Sequence, residues 1–219
     1  MGQSFSAMMG ETQPTPKLYY MPLAGRGELI KLIAAAGDLE METVLPGDDF
    51  DKAPFGSPGS LPVFEHGDLK LAQSGAIESY VSSIAPKFSG LTAQQKAKDC
   101  HFCCIKEDLL AATAKEIFST KDAANIKAAF DKWLTVIEGM LPAEGFVHGL
   151  DFPTPADLVL VIIKDGFMPF GAALKLAGGD YDFTKYPKFL ALYEKTKASE
   201  AVKTYLEKTD SMAGNPMGF

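Results

Sequence analysis

Residues Lys17 to Ala85 and residues from Thr92 onward follow different periodicities, and this change constrains the fold more than any other feature of the chain. In the first stretch, short extended and helical patterns alternate. Lys17-Leu18-Tyr19-Tyr20-Met21 is a β-type run with Leu18 and Tyr20 on one face, because strand side chains repeat every two residues. Glu28 to Ala36 carries Leu29, Ile30, Leu32, Ile33 and Ala36, a helical stripe stopped by Gly37. Met41 to Leu45 reads as a strand, and Pro46 to Ser60, rich in Gly, Pro, Asp and Ser, as loop with one helical turn. Leu61–Glu65 and Leu69–Leu71 flank His66-Gly67-Asp68 as a hairpin, and Gln73-Ser74-Gly75 opens a helix reaching about Ile84. The order β-α-β-loop-β-β-α predicts a small α/β layer.

After a linker at Pro86–Gly90 the signals are helical. Thr92-Ala93-Gln94-Gln95 is a capping box, and Ile126, Phe130, Trp133 and Ile137 step by 4, 3 and 4 along one face. Thr154-Pro155-Ala156-Asp157 supplies a cap, a proline at the first helical position and an acid at the third. The helix it opens, Leu158 to Ile163, is apolar all round and is therefore expected at the centre. Tyr186-Pro187 to Tyr193 and Ser199 to Leu206 close the chain. The expected division is an N-terminal extension at 1–16, an α/β domain at 17–85, a linker at 86–91 and an all-helical domain at 92–219. With 219 residues, 47% of them apolar, the chain can bury two such small cores.

Charge narrows the partners. The 21 basic against 28 acidic residues leave a net −7, which disfavours nucleic acid or an anionic bilayer as the main partner. A small anion held locally remains compatible. Leu158–Ile163 is too short to span a bilayer, and residues 1–16 hold no Lys or Arg, so they do not read as a secretory signal; a cytoplasmic location is expected. Met1-Gly2-Gln3-Ser4-Phe5-Ser6 fits the loose pattern for N-myristoylation of Gly2. One acyl chain without a basic patch gives weak association and no stable insertion.

The three cysteines fall together as Cys100, Cys103 and Cys104. A disulfide scaffold would scatter them, and a zinc site usually draws on a second ligand cluster, which the chain lacks, so no metal is expected. On a helix these positions share one face and read as buried small hydrophobes.

Four features of the first half carry chemistry. Tyr20 ends the first strand, where open α/β sheets face their ligand crevice. Leu61-Pro62 begins a strand with a residue that cannot donate to the ladder, and a cis bond there would turn the preceding backbone outward. Gln73-Ser74 lies at a helix N-terminus, which attracts a carboxylate. Arg26 stands at the start of the first helix. Singly, each has a plainer role in packing or capping; together they suit a small peptide bearing a thiol.

Lys17-Leu18-Tyr19-Tyr20 with Gly25-Arg26-Gly27-Glu28, then Leu61-Pro62-Val63-Phe64 leading to Gln73-Ser74-Gly75-Ala76-Ile77, resembles the cytosolic glutathione S-transferases. The spacing is nearest the tyrosine-type sigma and pi classes, and the Thr154 box resembles the cap of that family's buried helix. The resemblance spans about residues 17–208. It implies a thioredoxin-like N-terminal domain, an all-helical C-terminal domain, a homodimer, and glutathione as co-substrate with no other cofactor. It assigns Tyr20 as the thiol-activating hydroxyl and Leu61, beside cis Pro62 and Ser60, as the backbone partner of the cysteinyl unit. Gln73 and Ser74 would hold the γ-glutamyl end, Lys52 the glycyl carboxylate, and Arg26 would brace the site.

Two departures accompany it. Where those classes carry Trp with Lys four residues on, this chain offers Phe50 and Lys52. At the position of the acid that the family lends across its dimer stands Cys103, with Asp99 and Glu107 one turn to either side. A small hydrophobic electrophile is expected against Met21, Leu23 and Ala24, and against Ile105, Leu109 and Ala112 on the long helix, a stripe that core packing would also produce. A thiol–disulfide oxidoreductase would need a cysteine near the first helix, and none precedes Cys100. The alternative to a detoxifying conjugation enzyme is a non-catalytic ligand carrier or crystallin-like relative.

Overall fold

The computed structural model describes residues 14–165, 170–179, 181–209 and 211. Gly2 and the acylation pattern lie outside them. The α/β half runs β1 (Lys17–Tyr19), α1 (Glu28–Ala36), β2 (Glu42–Val44), a 3₁₀ turn at Ala53–Phe55, β3 (Val63–His66), β4 (Leu69–Ala72) and α2 (Ser74–Ile84). The sheet order is β2-β1-β3-β4, with β2 parallel to β1 and the other pairs antiparallel. His66 pairs with Leu69, so the hairpin turn is the two residues Gly67-Asp68, with Gly67 at φ 60°, a left-handed conformation that glycine adopts without steric cost.

Alternation works as the sequence predicts. Leu18 and Tyr20 are buried beneath α1 and α2 with Ile30, Ile33, Phe64, Ile77 and Val81. Tyr19 points to the opposite face, where the β2–β3 crossover covers it: its ring stacks on Phe50 at 4.6 Å and meets Phe55 edge-on at 5.7 Å. Pro16, assigned to the extension, already accepts a hydrogen bond from Glu42 N–H at 2.9 Å.

The second half comprises α3 (Ala93–Lys115), α4 (Ala123–Met140), α5 (Pro155–Lys164), α6 (Phe170–Leu176), α7 (Pro187–Ala198) and α8 (Glu200–Lys208). The 86–91 stretch is packed rather than slack: Phe88 is buried, and Lys87 N–H donates to Gly37 O at 3.1 Å. Every side chain from Leu158 to Ile163 is buried, and α5 packs on α3, α7 and α1, so the all-round apolar helix is central to both halves.

The cap of α5 is a buried junction. Asp157 accepts Thr154 N–H at 2.8 Å and Val147 N–H at 2.9 Å, while the Thr154 hydroxyl donates to Asp99 at 2.8 Å. Asp99 also meets His148 at 3.0 Å and accepts Ala156 N–H at 3.1 Å. Burial lifts the Asp157 carboxyl to about 6 against these hydrogen bonds. Thr154→Ala is expected to cost about 1–2 kcal/mol, the scale of a lost cap, measured as a lower urea midpoint at unchanged slope.

One expectation needs correction, and one open position is settled. Of the three cysteines only Cys103 is buried; Cys100 and Cys104 are exposed, because a 3.6-residue repeat spreads positions i, i+3 and i+4 over enough arc to straddle the core boundary. Asp99 is 3% exposed and turned into its own subunit's α5 cap, so its carboxylate does not face outward as a cross-dimer acid would need.

Candidate active site

Strand register gathers the candidates. Tyr19 pairs with Val63 and Val63 with Ala72. One residue further along each strand stand Tyr20, Pro62 and Gln73, a row across the same end of the sheet. At about 4.8 Å between neighbouring strands, the row spans roughly 10 Å. Leu61-Pro62 is cis, and half-buried Leu61 lies outside the ladder beyond Pro62. The backbone of Tyr20 is fixed by donating to Val44 O at 3.0 Å.

Gln73 closes the row in a conformation that side-chain-bearing residues rarely adopt, φ 72° and ψ 112°, and such strain concentrates at ligand sites. Its side chain is exposed. Ser74 is buried at the first position of α2, and no side chain caps this helix start. Its leading N–H groups and dipole therefore face the end of the row, an arrangement suited to a carboxylate.

The Tyr20 side chain is 5% exposed and lies against the turn into α1. A Cβ added at Gly25 would stand 2.4 Å from the Tyr20 hydroxyl oxygen, and one at Gly27 would stand 2.4 Å from the ring. These two glycines thus create the space that the tyrosine fills. Their G-x-G spacing was visible in the sequence, but nothing local linked it to Tyr20. Burial pushes the Tyr20 hydroxyl upward from its usual range, while the backbone N–H groups of Gly27 and Arg26 and the Arg26 charge act in the opposite direction; the net shift is up. The hydroxyl keeps its proton at neutral pH and is a donor.

Arg26 contacts Glu107 of α3 at 3.4 Å, a link between the turn before α1 and the helical domain. Lys52, half-buried, directs its carbonyl to Phe55 N–H at 3.1 Å at the start of the crossover's 3₁₀ turn. Ser60 is exposed, and its carbonyl accepts from the Ser57 hydroxyl at 2.8 Å. Phe50 is engaged with Tyr19 on the far face.

The proposed electrophile walls divide. Met21 is 42% exposed and Leu23 half-buried, whereas Ala24, Ile105 and Leu109 are buried in the core and Ala112 is half-buried. A cavity of about 770 Å³ instead reaches Tyr20 from the α8 side, lined by Pro22, Lys31, Leu45 and Tyr205 among others. The sequence did not disclose it, because α8 and β2 are over 150 residues apart. Glu28, fully buried at its base, is held by Tyr205 at 2.5 Å and Lys31 at 3.4 Å. Among the described residues, no group of three or more His, Cys, Asp or Glu is placed to hold a metal ion.

A sheet end presenting a buried tyrosine, a cis-proline edge and an uncapped helix start, joined to an all-helical domain, defines a two-domain thioredoxin-like scaffold. Residues 14–83 match the glutathione S-transferase N-terminal domain and residues 107–209 the glutathione S-transferase C-terminal domain; the chain belongs to the glutathione S-transferase family and is a transferase. It is 25% identical over 202 residues to the Dictyostelium discoideum protein named "Putative glutathione S-transferase alpha-5", covering 88% of this chain and 95% of that one. A glutathione S-transferase structure from Caenorhabditis elegans superposes with a TM-score of 0.69 at 27% identity, covering 90% and 98% of the two chains. A Nu-class enzyme from Haemonchus contortus shares the fold, with a TM-score of 0.69 at 22% identity over 89% and 97%. Among the described residues no helix is long and apolar enough to cross a membrane.

Proposed function

We propose that this transferase conjugates the glutathione thiolate to hydrophobic electrophiles, with the Tyr20 hydroxyl donating to the sulfur. The observation that carries the reading is the row Tyr20–Pro62–Gln73 with the uncapped start of α2 beside it. In this reading the γ-glutamyl carboxylate meets Ser74 and the first N–H groups of α2, and its amino group meets Gln73. The cysteinyl backbone pairs with Leu61, flanked by Ser60, and Lys52 faces the glycyl carboxylate. The sulfur then lies over Tyr20. Glutathione is the co-substrate and no further cofactor is required.

The electrophile approaches from the cavity on the α8 side, which is of a size typical for small ligands and has Pro22 and Leu45 in its wall. Tyr20 separates the two binding regions. Pairing as a homodimer, a cytoplasmic location and a role in detoxification accord with this chemistry.

Ser74→Ala removes one donor from the carboxylate clamp and leaves Tyr20 untouched. Its expected effect is a rise of about 10- to 100-fold in KM for glutathione, corresponding to the roughly 1.5–3 kcal/mol of a hydrogen bond to a charged group, with kcat little changed. The check is retention on immobilised glutathione together with a conjugation assay using an aromatic halide. Wild-type protein that neither binds the matrix nor turns over the halide would favour a non-catalytic carrier or structural role.

A further inference from the structure

Lys106 is the only Lys or Arg among the described residues that is fully buried, and nothing in the proposed chemistry uses it. It lies on α3 where the helical domain meets α2. Its Nζ stands 2.5 Å from Glu78 Oε1 on α2 and 3.0 Å from Glu107 Oε1 on its own helix. The second Glu107 oxygen faces Arg26 Nε at 3.4 Å. Cys103, buried one turn earlier on α3, lies close enough to act on the Glu78 carboxyl. Burial alone would lower the Lys106 pKa, but the two carboxylates outweigh it and hold the ammonium charged.

Burying such charges costs several kcal/mol per ion, and apolar residues of similar volume often fold as well or better. Stability is therefore a weak reason for this cluster, and its connections are more informative. Glu78 follows Ser74 by one helical turn, on the same face of α2. Anchoring Glu78 fixes the turn that presents Gln73 and Ser74. Glu107 ties Arg26, whose backbone N–H and charge both act on the Tyr20 hydroxyl. The other charged groups facing Tyr20 are Glu28 and Lys31 of α1, and neither contacts this cluster.

We propose that Lys106 is a positioning residue that fastens both halves of the thiol site from the helical domain: α2 through Glu78, and the Tyr20 loop through Glu107 and Arg26. The proposal rests on the reading of Tyr20, Gln73 and Ser74 given above. It predicts that the two branches separate. Glu78→Gln loosens α2 and raises KM for glutathione while the pH profile of kcat/KM for the electrophile, at saturating glutathione, stays in place. Glu107→Gln frees Arg26 and moves the ionisation in that profile to higher pH while KM for glutathione holds. Lys106→Met does both, with a rise in KM of about tenfold, equal to 1.4 kcal/mol.

The double variant Glu78→Leu with Lys106→Met removes the α2 pair without stranding a charge there, so it is expected to fold even where a single variant does not. Steady-state kinetics of this double variant across pH, at varied glutathione, form the test. A folded protein with raised KM and an upward-shifted profile supports the proposal. A folded protein with wild-type KM and profile overturns it while leaving the Tyr20 reading intact. Wild-type protein without glutathione turnover overturns both.

Discussion

Tyr20→Phe is expected to retain glutathione binding within about threefold and to lose about 10²–10³-fold in conjugation rate, the range measured when one preorganised donor to a developing anion is removed. The substitution deletes one oxygen and keeps the ring that fills the space above Gly25 and Gly27, so the fold is preserved. An ordinary tyrosine is already protonated at neutral pH, and burial moves the Tyr20 hydroxyl further in that direction. In the proposed chemistry it stabilises a thiolate by donating to it instead of removing the thiol proton. A free thiol with a pKa near 8.5 is only a few per cent ionised at neutral pH. Lowering that pKa by about two units, roughly 2.7 kcal/mol, makes most bound glutathione nucleophilic, within reach of one charge-assisted hydrogen bond and a favourable local field. Initial-rate assays beside calorimetric binding separate the two effects. Equal turnover by both proteins would remove Tyr20 from the chemistry.

Gly27→Ala is expected to be nearly as damaging without touching a reactive atom. Its methyl would enter within 2.4 Å of the Tyr20 ring, and the ring is confined by α1 and the sheet. Overpacking at such a site costs about 1–3 kcal/mol of stability. The catalytic loss should be larger than stability explains, about 10²-fold, because a displacement near 1 Å of a catalytic group is worth that much. Gly25→Ala presses on the hydroxyl oxygen and on Leu23 Cδ1 at 2.8 Å, so it should share the kinetic defect. Urea unfolding and turnover, measured on both variants at a temperature where they remain folded, distinguish misplacement from unfolding. Wild-type rates in Gly27→Ala would show that the turn yields without moving Tyr20.

Features set by near neighbours in the chain were legible beforehand. Alternation placed Leu18 and Tyr20 inward, the Thr154-Pro155-Ala156-Asp157 signal placed a helix start, and all-round apolarity placed α5 at the centre. The Tyr20–Pro62–Gln73 row needed the family resemblance as well, since strand register is a long-range property that single segments do not encode.

What escaped depends on partners distant in sequence. Whether Asp99 faces outward or inward depends on the α5 cap, 55 residues away. Ile105 and Leu109 offered a stripe that suits either a ligand or a core, and the packing of α5 decided for the core. Nothing in its own segment marks Lys106 as buried; its partner Glu78 comes from another domain. The cavity beside Tyr20 exists only because α8 returns to α1 and β2.

The central claim is that Tyr20 holds the bound thiol in its ionised form, and an ultraviolet pH titration of the thiolate in the glutathione complex tests it directly. The expected result is a bound thiol pKa about two units below the free value near 8.5 in the wild-type protein, returning close to the free value in Tyr20→Phe. The same depressed pKa in both proteins would contradict it.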